Sequence, residues 1–444
     1  MLAIKKLRVF DEKNSRMKNV SSLVKERLKK EQIVLLDSIA KMASIHNVSV
    51  YVVGGFVRDL LLNIENLDLD LVVEGDGISF SNALAEKFFG STKIHQEFGT
   101  SKLTLQDDSH VDVAIARTEH YSHSAALPTI KPSSIKLDLA RRDFTVNSMA
   151  IKLDKQGIFF LIDIFGGEND LKKGFIRVLH DLSFIDDPCR IFRAVRFEQR
   201  FNFRIEDETR DLMLSAIENK LIDQLSGQRV INEIKLILNE YDPKKCVDRM
   251  RELYLFQTFS PEISSHDFNW SVIEKIDSAL IWLETTISIS ERPKKWRVYF
   301  LGLFITMKGV AFEKSVKRLH LSVKISNWIR LDRKFFDEAK RYLDEERELK
   351  PSQVYDIFSK LSSEAVVLLL AACFSEQVCS YTELYFNQYC ELAKIKLTGD
   401  DLMKMGMQPG PAFNNIFKAL RDARINGQVV SRNEEVIFER SNFL

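Results

Sequence analysis

The chain switches between two hydrophobic periods. Val50 to Val53 is a short apolar run, and Asp68 to Leu71 alternates acid with leucine. Both read as β-strands, the first buried on both faces and the second on one. Between them, a Gly-Gly step leading into Phe56-Val57-Arg58-Asp59 predicts a turn and a short helix. Upstream, Val34, Leu35, Ile39 and Met42 recur at helical spacing, which predicts an amphipathic helix within Val24 to His46 covering the first strand. Downstream, Ser79 to Phe88 reads as a helix, Ser101 to Leu105 as a strand, and Val111 to Arg117 as another alternating strand. Thr118 to Leu137 is polar, carries two prolines and reads as a mobile loop. Leu139 to Ile151 contains an expected helix start, and Ile162 to Gly167 ends a strand in a turn. From there the pattern is helical almost throughout. It includes Ser226 to Leu238, where Arg229 and Glu233 are spaced to pair. Trp270, Trp282, Trp296 and Trp328 are expected in the core of these later helices.

Composition narrows this picture. A chain of 444 residues exceeds one ordinary core and implies two to four domains. With 17 Gly and 9 Pro it favours long helices over many turns. A net charge of +1 gives no general affinity for polyanions, so any nucleic-acid surface must come from local clustering. Five scattered cysteines with no C-x-x-C pair argue against a disulfide framework or a zinc site and fit a reducing cytoplasm. No apolar run or signal-peptide core points to membrane insertion or secretion. Residues 1 to 40 hold ten Lys or Arg against five Asp or Glu, and Met1 to Ser22 reads as a loosely ordered basic extension. Those acids count against a mitochondrial presequence.

The candidate chemistry begins at Asp68 and Asp70. Residues two apart on a strand share a face, so these carboxylates project together and raise each other's pKa unless a cation intervenes. A hard divalent ion, completed by phosphate oxygens, suits them. Gly54 and Gly55 allow backbone N–H groups to approach a phosphate where a helix begins. Asp112 is a third strand acid able to reach the pair. Arg141 and Arg142 suit triphosphate oxygens, and Asp143 and Asn147, four apart, are expected on one helical face where they could bond ribose hydroxyls. Arg190, Arg193, Arg196 and Arg200 form a basic stripe directed at the cleft. His120 and His123 lack further ligands at metal spacing. Gly410 and Pro411, at a helix start, are a candidate backbone–phosphate contact.

Taken in order, the segments Val53-Gly54-Gly55-Phe56-Val57-Arg58-Asp59, Asp68-Leu69-Asp70 and Arg141-Arg142-Asp143-Phe144-Thr145-Val146-Asn147 resemble class II tRNA nucleotidyltransferases and bacterial poly(A) polymerases. So do Phe165-Gly166-Gly167, Asp186-Asp187-Pro188-Cys189-Arg190 and Arg193-Ala194-Val195-Arg196-Phe197. The resemblance spans residues 48 to 240 and, more weakly, the terminal LTGDDL…PGP stretch. It implies an α+β architecture: a polymerase-beta-like head with a mixed sheet, then all-helical neck, body and tail. The expected bounds are a basic extension at 1–35, head 36–165, neck 166–240, body 241–340, and a tRNA-binding tail 341–444. It further implies Mg2+ on Asp68 and Asp70, with Asp112 as the further active-site carboxylate. Gly54, Gly55, Arg58 and Arg142 would lie against the triphosphate, and Asp143 and Asn147 against the ribose. Arg193 and Arg196 would line the nucleotide pocket. Asp187 and Arg190 would read the base edge, so protein replaces a nucleic-acid template. The implied substrates are CTP or ATP and a tRNA 3′ end, with neither DNA nor a membrane as partner.

One position departs from the family pattern: Asp186 stands where Glu is usual. The proline of Asp187-Pro188-Cys189-Arg190 and the run Arg117-Thr118-Glu119-His120-Tyr121 look like enzymes adding only the terminal A, and like poly(A) polymerases. The terminal block looks like tRNA-end enzymes, and the full-length Thr118–Leu137 region disfavours pure CC addition. CCA or A addition to tRNA is therefore the expectation, with poly(A) polymerase and a catalytically inactive RNA-binding relative as alternatives.

Overall fold

The computed structural model describes residues 17–65, 68–120, 129–260, 263, 268–288, 292–307, 309–344 and 348–443. The chain divides into two compact units, Met1–Glu233 and Ile234–Leu444.

The first unit begins in the sheet. Strand β1 (Lys18–Asn19) precedes helices α1 (Ser21–Arg27) and α2 (Lys30–Ile45). The expected single helix over Val24 to His46 is therefore broken at Leu28 and Lys29, both extended, where the Gln32 side chain accepts the Lys29 N–H at 3.1 Å and caps α2. The reading of Met1 to Ser22 as a loose extension is corrected for its described end. Lys18 and Asn19 pair with a sheet strand, and Val20 and Val24 are buried.

Next come β2 (Ser49–Val53), α3 (Gly55–Leu62), β3 (Leu69–Glu74), α4 (Gly77–Lys87), β4 (Ser91–His95), β5 (Thr100–Thr104) and β6 (His110–Ile115). A short ribbon of β7 (Arg117–His120) and β8 (Thr129–Pro132) leads to α5 (Ile135–Ala140), β9 (Met149–Leu153) and β10 (Phe159–Asp163). Eight of these strands form one mixed sheet in the order β1-β10-β9-β2-β3-β6-β5-β4, in which β3 and β6 run parallel. Strand β2 is central, with Val50 to Val53 all buried. Val72, Val53, Tyr51 and Ala150 on one sheet face pack against Ile135 and Leu139 of α5. Helix α4 covers the other face of β4, β5 and β6, burying Phe80 and Leu84.

The stretch expected to be a mobile loop is thus structured at both flanks, because β7 and β8 satisfy each other's backbone groups. His123 lies outside the described residues.

The segment expected to be an all-helical neck contains α6 (Gly167–Lys173), β11 (Phe175–Ile176), α7 (Ser183–Asp186), α8 (Cys189–Phe201), β12 (Arg204–Ile205), α9 (Asp207–Glu218) and α10 (Gly227–Leu238). It is not all helical: β11 and β12 form a two-residue parallel ribbon.

The second unit is helical. The segment Ser363–Ala372, SEAVVLLLAA, is buried nearly all round and packs with neighbouring helices including Ile276–Thr286 and Lys295–Ile305. Of the tryptophans expected in the core, Trp270 is buried, while Trp282, Trp296 and Trp328 are only partly so. Leu397, Leu402, Ile416 and Leu420 form a separate terminal cluster. Gly410 is extended and exposed before the fifteen-residue helix Pro411–Ile425. Proline at a first helical position costs no backbone bond. Among the described residues no helix is long and apolar enough to cross a membrane.

Candidate active site

A cleft of about 740 Å³ opens within the first unit. Its lining includes Gly54, Gly55, Arg58, Asp68, Asp70, Arg142, Asp143, Asn147, Asp187, Arg190, Arg193 and Arg196. These residues come from stretches far apart in sequence, and the fold gathers them.

At one end stand the acids. Leu69 is buried at the start of β3 and turns Asp68 and Asp70 outward together; Asp68 immediately precedes the strand. Parallel pairing of β3 with β6 sets Asp112 directly beside Asp70. Burial raises the Asp70 carboxyl to about 6; Arg142 pulls it back, and Asp112 and Asp68 push it further up. A carboxyl raised by neighbouring carboxylates is one that a cation would stabilise. Among the described residues, no three His, Cys, Asp or Glu side chains form a ready metal cage. The donor set therefore fits a divalent ion bound by one or two carboxylates and finished by phosphate oxygens and water.

Above the acids is the Gly54 turn, at φ 70° and ψ −132°, which lies in a region reserved for glycine. A Cβ there would sit 3.1 Å from Arg142 Nη1 and 3.7 Å from Asp70 Oδ2. The turn thus brings the first backbone N–H groups of α3 close to the acids.

The arginines are held rather than loose. Asp138, fully buried in α5, accepts from Arg141 Nη2 at 2.7 Å and from Arg142 Nη2 at 3.0 Å. Arg141 also bonds Glu119 at 2.7 Å. Asp138 was not singled out in the sequence, although an acid three and four residues before two arginines is a helical pairing signal.

Arg58 is buried, clamps Asp59 with two bonds of 2.7 and 2.9 Å, and donates to Asn147 Oδ1 at 2.7 Å. Arg58, expected against a triphosphate, lines the cleft with its guanidinium engaged by Asp59 and Asn147. Asn147 in turn donates to Asp143 Oδ1 at 3.0 Å, and Arg193 Nε donates to Asp143 Oδ2 at 2.8 Å. Burial would raise Asp143, but Arg193, the Asn147 amide and Arg190 hold it well below the usual carboxylate range. Asp143 and Asn147 do meet, though not on an α-helix. Thr145–Asn147 is a single tight 3₁₀ turn.

At the far end, Asp187 Oδ1 accepts from Arg229 Nη2 at 2.8 Å and from the Cys189 backbone at 3.0 Å. Arg229, expected to pair with Glu233 within α10, thus reaches across to Asp187. Arg190 donates to Ser183 Oγ at 2.6 Å and to the Arg141 carbonyl at 2.8 Å. Phe197 stacks beneath three guanidinium groups: Arg196 at 4.6 Å, Arg58 at 5.2 Å and Arg193 at 5.5 Å. The arrangement pairs a carboxylate end with an arginine-rich wall, which can neutralise a triphosphate and hold a planar base.

Such a head, with paired strand acids below a glycine turn, defines a nucleotidyltransferase. Comparisons with known proteins agree. Residues 50–177 match the model of the "Poly A polymerase head domain", and residues 202–266 match "Probable RNA and SrmB- binding site of polymerase A". The A-adding tRNA nucleotidyltransferase of Halalkalibacterium halodurans is 31% identical over 433 residues, covering 96% of both chains. That of Geobacter sulfurreducens is 36% identical over 425 residues, 95% of this chain but 48% of its own length, so this chain spans about half of that relative. A solved apo CCA-adding enzyme superposes with a TM-score of 0.79 at 32% identity, covering 96% of this chain and 99% of its own. The Thermotoga maritima CCA-adding enzyme complexed with tRNA gives 0.75 at 32% identity, with the same coverage. The chain belongs to the tRNA nucleotidyltransferase family.

Proposed function

We propose that this protein adds the terminal A to a tRNA 3′ end from ATP, releasing pyrophosphate. The observation that carries the transferase reading is the pair Asp68 and Asp70 in an arginine-walled cleft, with Asp112 beside Asp70 on the neighbouring strand. The named A-adding relatives support tRNA as the acceptor and A as the nucleotide. Complete CCA addition is the second reading, favoured by the near full-length likeness to a CCA-adding enzyme.

In this reading Asp68 and Asp70 hold magnesium, which when bound would lower the charge on the α-phosphate and on the attacking 3′-oxygen. The Gly54–Gly55 amides and Arg142 cradle the triphosphate, while Asp138 keeps Arg141 and Arg142 pointed at it. Asp143 and Asn147, pre-aligned by Arg58 and Arg193, bond the ribose. Asp187 accepts from the exocyclic amino group of A or C, which U lacks, and Arg190 donates to ring acceptors. Their outer bonds fix both side chains before the nucleotide arrives. Such preorganisation supports selection, since one well-formed polar contact discriminates by roughly 1–3 kcal/mol. Gly410 and Pro411, opening an uncapped helix, are proposed as a weak backbone contact to tRNA.

The test uses purified protein, magnesium and three tRNA transcripts ending at the discriminator base, at C, or at CC. Each receives ATP or CTP singly and together, and products are resolved by length. A single A on the CC-ending transcript alone is the expected result. Extension of all three to CCA would establish the second reading, and a long ATP ladder on any RNA would overturn both.

A further inference from the structure

A second cleft, of about 400 Å³, meets the first at Asp70, Arg141 and Arg142 and runs the other way, over β5 and β6. Its lining includes Asp112, Lys102 and His95. The sheet register explains what lies along it. Asp70 on β3 is opposite Asp112 on β6, Asp112 is opposite Lys102 on β5, and Lys102 is opposite Lys93 on β4. Directly paired residues share a sheet face, so the catalytic row continues outward as two cations, one strand spacing of roughly 4.8 Å per step. Both lysines are exposed, whereas Ser101 and Leu103 are buried on the face that α4 covers. Neither ammonium has an ion-pair partner among the described residues, in contrast to the arginines of the main cleft.

We propose that this open face seats the acceptor RNA, with Lys102 and Lys93 contacting the phosphates just behind its 3′-terminal nucleotide. The inference rests on the nucleotidyltransferase reading. In-line displacement requires the 3′-oxygen to approach the α-phosphate opposite the leaving pyrophosphate. With the arginine wall and Gly54 turn on one side of Asp70, the attacking strand must enter from the other. The second cleft is the opening there; its Lys102, with Lys93 one strand beyond it, matches a polyphosphate backbone in charge and in linear arrangement.

The test is steady-state kinetics of ATP addition to a CC-ending tRNA by Lys93→Ala, Lys102→Ala and the double variant. Lys87→Ala, on the covered side in α4, is the control. For each lysine lost we expect the acceptor KM to rise by roughly three- to tenfold and the salt-dependence slope of log affinity to fall by about one. The KM for ATP and the thermal midpoint stay at wild-type values. Unchanged acceptor KM and salt slope in the double variant would overturn the proposal, as would a rise in ATP KM alone. Wild-type enzyme that adds no nucleotide to tRNA would sink the underlying reading instead, and is scored separately.

Discussion

At the scale of single residues, the site is a set of charges held by other charges. Asp70 shows the consequence most clearly. Its carboxyl, ordinarily near 3.8, is raised to about 6 by burial and by Asp112 and Asp68. A raised carboxyl pKa favours the protonated fold. The associated stability is full below about 4 and is lost as pH climbs through about 6. Asp70→Asn should therefore have a higher thermal midpoint than wild type at pH 7.5, and the gain should vanish below pH 4. Metal binding needs the carboxylate, so protons compete with the ion and the magnesium concentration for half-maximal nucleotide addition should rise as pH drops through about 6. Melting curves and rates across pH 4 to 8 check both; a midpoint unchanged by Asp70→Asn at pH 7.5 would contradict the burial argument. The acids, glycines and arginines were legible in the sequence because their chemistry is unusual at such spacing. Asp138 was not, since an acid beside arginines reads as a solvated pair until burial is known. The clamp at Arg58 was not legible, because sequence shows neither Asp59 nor Asn147 closing on it.

At the scale of elements, strands were read more faithfully than the connections. The buried run of β2 and the alternation of β3 and β6 carry a direct hydrophobic signature. The break between α1 and α2 does not, because apolar spacing continues through it while Gln32 supplies the cap. Nor do two-residue strands such as β1, β11 and β12, whose pairing is with distant backbone. Asp143 and Asn147 meet across a 3₁₀ turn that an i,i+4 pattern mimics. The strand-to-helix turn at Gly54 yields a prediction at this scale. Gly54→Ala must place a Cβ 3.1 Å from Arg142 in a conformation that costs roughly 1–3 kcal/mol for any other residue. It should lower the thermal midpoint and raise the KM for ATP. An ATP KM unaffected by the substitution would show that the turn does not shape the nucleotide site.

At the scale of the molecule, a net charge of +1 hides a strongly divided surface. Within the first unit, arginines wall one cleft and the unpaired Lys102 lines the next, with Asp70 at the junction. Bulk charge could not reveal this, because the fold and not the composition sorts the signs. Helical periodicity distinguished the later residues from the sheet, yet the compact units separate at Glu233 and Ile234, inside the single helix α10. The central claim is that the Asp68–Asp70 pair performs metal-assisted transfer to tRNA. The most direct measurement is single-turnover addition of labelled ATP to a CC-ending tRNA with magnesium, comparing wild type with Asp68→Ala plus Asp70→Ala, alongside tRNA binding by both. The account predicts a loss of about a thousandfold or more in rate with binding retained. Addition at the wild-type rate by the double variant would contradict it.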